Sequence, residues 1–172
     1  MDAKPSRPLP ERTYSWRKPD FDAALAATLS GLELLRRVLD GRLAPPPMAA
    51  TLDFALVEVE HGRVVFAGEP AEYMYNPLGS VHGGYAATML DSAMGCAVHS
   101  ALPAGQIYAT AELKVNLVRP ILAGSGKLRA EGRLIHLGSR VGTSEGRLVG
   151  EDDGKLYAHG TTTCLVMPLR AT

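Results

Sequence analysis

Apolar residues first recur at Phe21, Leu25, Leu29, Leu32, Leu35 and Leu39, a spacing of three to four that predicts one amphipathic helix. Asp20 is placed to cap it and Asp22 suits its first turn. Arg36 and Arg37 fit its last turn, and Gly41 follows as a stop. Pro45-Pro46-Pro47 forbids helix and reads as a rigid connector. From Thr51 to Glu60 the period changes to two, with a slip near Leu56 that predicts a bulge. His61-Gly62 turns the chain, and Arg63 to Glu69 returns through Val64, Val65 and Phe66 as the second arm of a hairpin. From Gln106 onward the pattern is β. Ile107, Ala109, Ala111, Leu113, Val115 and Leu117 alternate with Tyr108, Thr110, Glu112, Lys114 and Asn116, a long half-buried strand ended by Arg119-Pro120. Lys127–His136, Val141–Glu151 and Lys155–Val166 predict three more strands. The turns between them are Gly124-Ser125-Gly126, Gly138-Ser139-Arg140 and Asp152-Asp153-Gly154, which imply an antiparallel meander.

Between hairpin and meander lies the stretch that organises the rest. Asn76-Pro77-Leu78-Gly79-Ser80-Val81-His82-Gly83-Gly84 is a loop rich in glycine, and Tyr85 to Val98 is almost wholly apolar or small. That run suits a helix and is too short and too interrupted to span a membrane. Being apolar on most faces, it needs cover, and a curved antiparallel sheet wrapped around it supplies cover. The predicted architecture is an α+β hotdog fold with an extra N-terminal helix. Its sheet leaves an edge strand, which subunit pairing commonly covers. The one strong charge in the helix is Asp91, costly there unless paired or used.

Length and charge narrow the function. A chain of 172 residues makes one domain with its own core. We divide it into an extended arm (1–19), the N-terminal helix (20–44) and the hotdog domain (45–168). In the arm, Tyr14 and Trp16 are the large anchors. They either dock on a neighbouring subunit or belong to a loose tail. Lys plus Arg and Asp plus Glu balance at 18 each, so no global field favours nucleic acid or a membrane surface. Cys96 and Cys164 read as core thiols, and with no leader pattern a cytoplasmic protein is expected. His61, His99, His136 and His159 have no metal-ligand spacing, so neither metal nor cofactor is expected.

Asn76-x-x-Gly79-x-x-His82-Gly83-Gly84, Asp91 eight residues after Gly83, and Asn116-x-x-Arg119-Pro120 together resemble the PaaI-type (phenylacetate-degradation) branch of hotdog acyl-CoA thioesterases. The resemblance covers roughly residues 50–168. It implies hydrolysis of acyl- or aryl-CoA thioesters by a homodimer, often a dimer of dimers, with active sites at the subunit interface.

The residues admit that chemistry. Gly83 N–H, with help from Gly84, sits where a helix N-terminus favours negative charge, as an oxyanion donor must. Two glycines also suit a tight helix entry. Asp91 is the candidate general base or nucleophile, or else a carboxylate held by Ser92 or by an arginine. Eight helical residues separate Asp91 from Gly83 by roughly 12 Å, too far for both to touch one carbonyl. If both act, Gly83 of one subunit meets Asp91 of another, and a two-fold pair of antiparallel helices achieves this twice. Asn76 resembles the family's polar residue that orients thioester or water, and it also suits a turn before Pro77. Thr110 matches a position that holds a hydroxyl near the water in some relatives, or it simply faces solvent. His82 braces the loop or contacts substrate more readily than it moves a proton. Arg119, Gly138, Ser139 and Arg140 occupy loops that lie near the nucleotide in relatives, and otherwise are solvated. Tyr85, Thr88, Met89, Ser92 and Met94 are candidates to line the acyl pocket. The competing reading is a non-catalytic hotdog that binds acyl-CoA as a sensor or scaffold and releases no thiol.

Overall fold

The apolar run after the glycine-rich loop forms one unbroken helix, α4 (Gly83–His99), and the sheet is built around it. The computed structural model describes residues 8–19 and 22–169. Among the described residues six strands make one antiparallel sheet. They are β1 (Phe54–Glu60), β2 (Arg63–Gly68), β3 (Gln106–Leu117), β4 (Leu128–Leu137), β5 (Val141–Gly150) and β6 (Leu156–Pro168). Their order is β1-β2-β4-β5-β6-β3. Three short helices precede them, α1 (Ala23–Thr28), α2 (Gly31–Leu39) and α3 (Pro47–Leu52). This is the expected α+β hotdog architecture.

The core is the contact between α4 and the concave face of the sheet. Ala86, Met89, Leu90, Ala93, Met94, Ala97 and Val98 have no exposed surface. A row of paired glycines lets the helix lie so close. Gly132 on β4 faces Gly146 on β5, which faces Gly160 on β6. A Cβ at Gly132 would stand 2.2 Å from the Ala93 carbonyl oxygen, and one at Gly146 would stand 2.7 Å from Met94 Cγ. Beside the row, the buried Ser144 hydroxyl donates to the Met94 carbonyl at 2.8 Å. Any side chain at the centre of this row lifts the helix off the sheet.

Four expectations are corrected. The N-terminal helix is two helices, because Leu29 is extended and Ser30 starts a new one through a reciprocal capping box with Glu33. The expected cap Asp20 and the apolar Phe21 lie outside the described residues. Pro47 does not stop helix formation but opens α3, at the one position where a missing N–H costs nothing. Thr51 and Leu52 therefore belong to α3, and β1 begins at Phe54 after the left-handed Asp53 (φ 54°). The meander holds only for β4-β5-β6, since β3 crosses to the far edge and pairs with β6. The β1 bulge is present between Leu56 and Glu58.

The arm docks on its own chain. Arg12 donates to the Thr51 and Ala50 carbonyls at 2.7 and 3.0 Å, filling acceptors left open at the end of α3. Its guanidinium also lies over the Tyr73 ring, 4.2 Å from the centroid.

Gly132→Ala tests the close approach. It is expected to destabilise the fold by about 1–3 kcal/mol, as overpacking does, read as a lowered denaturation midpoint. An unchanged midpoint would show that the glycine row does not set the helix–sheet distance.

Candidate active site

The loop before α4 is held by its own polar groups. Asn76 Oδ1 accepts from Leu78 N–H at 2.8 Å, and Asn76 Nδ2 donates to Ser80 Oγ at 3.0 Å. The Asn76 backbone N–H donates to the Ser80 carbonyl at 2.7 Å. Gly79 carries the positive φ of 80° that closes the turn. The far end of the loop is tied to the crossover after β3, where Val81 N–H donates to the Ile121 carbonyl at 2.9 Å.

His82 is the N-cap of α4. Its Nδ1 accepts from Gly84 N–H at 2.9 Å, which assigns the ring a capping role. Gly84 N–H is thereby used, and the expected help from Gly84 is absent in this arrangement. Gly83 N–H has no acceptor among the described residues, as befits the first turn of a helix. Gly83 lines a pocket of about 290 Å³ together with Asn76, Ser80, Leu117, Arg119 and Ile121, among others. Space at Gly83 is set by β3, because a Cβ there would lie 2.5 Å from Leu117 Cδ1. Three separately predicted residues, Asn76, Gly83 and Arg119, thus share one pocket.

Asp91 lies two turns further along α4, half-buried, and Thr110 Oγ1 donates to its Oδ1 at 3.0 Å. A bulge makes this contact. The β3–β6 register slips at Ala111, so the side-chain alternation changes phase. Before the slip, Tyr108 and Thr110 face α4; after it, Val115 and Leu117 do. Simple alternation put Ile107 and Ala109 on the inner face, and the bulge reverses that. Asp91 stands outside the Gly83 pocket of its own chain, consistent with their separation of roughly 12 Å.

The remaining candidates divide. Thr88 and Ser92 are half-buried on the same side of α4 as Asp91, and the Thr88 hydroxyl donates back to the Gly84 carbonyl at 2.8 Å. Tyr85 points the other way. It is buried against β2, where its hydroxyl packs over Gly68 and has no hydrogen-bond partner among the described residues. Met89 and Met94 are also wholly buried under the sheet. The turn Gly138-Ser139-Arg140 sits at the C-terminal end of α4, since a Cβ on the nearby Gly142 would meet Val98 at 2.6 Å. Arg119 lies at the opposite end, roughly 25 Å away along a 17-residue helix. Ser80, Leu117 and Ile121 were missed. Nothing in their residue type marks them, and only the fold places them at the pocket.

Residues 78–157 match the model of the thioesterase superfamily, a span that takes in Gly83, Asp91, Thr110 and Arg119. Among solved structures, a Ralstonia eutropha protein described as a thioesterase related to phenylacetic acid degradation is 32% identical. The match covers 76% of this chain and 98% of that one, with a TM-score of 0.68. A mutant of the phenylacetic acid degradation protein PaaI from Thermus thermophilus is 27% identical over 70% of this chain and 98% of that one, with a TM-score of 0.63. The E. coli PaaI protein shares the fold, with a TM-score of 0.71 at 20% identity over 83% of this chain and 100% of that one. A curated relative from Halobacterium salinarum, named as an esterase, is 45% identical over 69 residues, 39% of this chain and 44% of that protein. This chain therefore spans less than half the length of that relative. The chain belongs to the thioesterase superfamily. Within it, the chain is a member of the PaaI-type hotdog branch.

Thr110→Val keeps the shape and removes the hydrogen bond to Asp91. A hydrogen bond to a charged group is worth about 1.5–3 kcal/mol, so kcat on any thioester the protein cleaves is expected to fall at least about tenfold, with KM little changed. An unchanged kcat would mean that Thr110 does not orient a working carboxylate.

Proposed function

We propose that the protein hydrolyses an acyl- or aryl-CoA thioester to the free acid and CoA. The observation that carries this reading is a Gly83 N–H at a helix N-terminus with no acceptor among the described residues, in a residue that lines a pocket, on the same helix as a carboxylate steadied by Thr110. The thioester carbonyl oxygen accepts from Gly83 N–H. Asp91 takes a proton from water, the water oxygen bonds to the carbonyl carbon, and negative charge grows on the carbonyl oxygen, where the N–H and helix dipole stabilise it. Collapse breaks the C–S bond, and the departing thiolate gains the proton. Direct attack by the Asp91 carboxylate, followed by hydrolysis of the anhydride, gives the same products. Asn76 holds the loop that shapes the pocket and has a second amide N–H for the ester or the water. The Arg119 guanidinium at the pocket suits a CoA phosphate.

The working unit is a dimer. Gly83 and Asp91 of one chain cannot meet at one carbonyl, so Asp91 of the partner subunit completes the site. Two features support the pairing. Strand β3 is one edge of the sheet and leaves Leu113 and Leu117 exposed at 37% and 57%, with Val118 just beyond it at 52%, an edge that isolated proteins avoid. The side of α4 carrying Gly84, Ala87, Thr88, Asp91 and Ser92 is not closed by the chain's own sheet. Antiparallel pairing of two such helices also brings Arg119 of one chain to the end that holds Gly138-Ser139-Arg140 of the other.

A panel of acyl- and aryl-CoA esters, assayed for free thiol with Asp91→Asn as the control, tests this. Wild type should release thiol from at least one ester, and the variant should lose about 10²–10⁴-fold in kcat with its fold intact. CoA-ester binding without thiol release by wild type would favour the sensor or scaffold reading. Near-full turnover by Asp91→Asn would remove Asp91 from the chemistry.

A further inference from the structure

We propose that Arg12 is a positioning residue for thioester hydrolysis. It ties the end of α3 to the single helical turn Glu72–Met74, and through them sets where the Gly83 N–H stands. The inference rests on the thioesterase reading and adds to it a residue of the arm, outside the span 78–157 that matches the superfamily.

Arg12 makes two kinds of contact at once. Two of its guanidinium nitrogens donate to the Thr51 and Ala50 carbonyls at 2.7 and 3.0 Å. The same guanidinium lies 4.2 Å from the centroid of the Tyr73 ring and 4.7 Å from that of Tyr14. The first contact holds the end of α3 and the second holds the turn. A planar fork that donates at its edge while its face rests on an aromatic ring separates arginine from lysine.

Both elements touch the start of α4. From the turn, the Met74 carbonyl accepts from His82 N–H at 2.8 Å, and His82 is the N-cap that delivers Gly83. The next residue, Tyr75, bridges to Val81, and its hydroxyl accepts from Ala123 N–H at 3.0 Å. The loop Asn76–His82 thus starts from this turn and returns to it. From α3, Asp53 follows directly. A Cβ at Gly68 would stand 2.9 Å from the Asp53 carbonyl oxygen and 2.5 Å from the Tyr85 hydroxyl. The end of α3 and the first turn of α4 therefore press on one point of β2.

Tyr73 is 47% exposed and Arg12 is half-buried, so their contact lies outside the core and its loss should spare the helix–sheet packing. Catalysis is more sensitive. An oxyanion donor acts through its distance from the developing charge, and a misplacement of about 1 Å can cost about 10²-fold in rate. Because that interaction strengthens in the transition state, poor alignment lowers kcat and leaves KM in place.

The test is kcat and KM per folded dimer on the CoA-ester panel, hexanoyl-CoA and benzoyl-CoA included. It compares wild type, Arg12→Ala, Tyr73→Leu, the double variant and Trp16→Ala, an arm substitution outside the contact. Folded dimer is counted by circular dichroism and light scattering at the assay temperature. Arg12→Ala should lower kcat roughly tenfold or more, with KM within about twofold of wild type. Tyr73→Leu should give part of that loss, and the double variant should be no slower than Arg12→Ala. Trp16→Ala should keep the wild-type kcat. If Arg12→Ala does not fold, Arg12→Lys carries the same comparison with a smaller loss. With wild type active, an unchanged kcat in the Arg12 variant would overturn this inference alone. So would a raised KM at constant kcat, or an equal loss in Trp16→Ala. No thiol release by wild type from any ester of the panel would overturn the thioesterase reading, and this inference with it.

Discussion

The structure depends on how closely the backbone of α4 lies against the sheet. Three glycines paired across β4, β5 and β6 remove the side chains that would hold the helix away, and Ser144 bonds to a carbonyl of the helix at that level. The contact fixes α4 at its middle, because Ala93 and Met94 fill the space left by the glycines. A helix set this rigidly presents its N-terminus and its one carboxylate in defined places. The loop from Asn76 to His82 has only to deliver the chain to that N-terminus, and its internal hydrogen bonds do so.

The proposed function follows from an incompatibility. A helix N-terminus is where an oxyanion is best held. A carboxylate near it would repel that charge unless it stood across the reacting carbonyl. Asp91 stands two turns away within one chain, and the proposed two-fold pair of antiparallel helices would bring the two together between chains. The β3 edge, with its exposed apolar residues, would supply a surface for the proposed pairing. One arrangement thus accounts for the exposed edge, the open side of α4 and the separation of Arg119 from Gly138-Ser139-Arg140.

The sequence showed these features unevenly, for physical reasons. The central helix was legible because an apolar run opened by two glycines has few other ways to fold. The β1 bulge was legible as a slip in alternation. The β3 bulge was not, because Ala109, Thr110 and Ala111 are small enough to fit either phase, and that slip turned Thr110 onto Asp91 and Tyr108 onto Gly95. The position of β3 beside β6 was hidden as well, since short loops favour neighbours and the crossover after β3 obeys no local signal. Tyr85 looked like a pocket residue by position, yet the helix phase turns it into the core. The break at Ser30 had a legible signature in Ser30-x-x-Glu33, outweighed by the longer leucine periodicity.

A hybrid dimer tests the central claim most directly. Gly83→Pro removes the N–H at a first helical position, where proline is tolerated. Asp91→Ala removes the carboxylate. Each variant alone should be inactive. Unfolding and refolding the two together should give hybrids with one intact site, Gly83 from one chain and Asp91 from the other. Random pairing then restores roughly a quarter of wild-type turnover. Restored activity at that level is the predicted result. A mixture as inactive as its parents, with hybrids shown to have formed, would contradict a site shared between two chains.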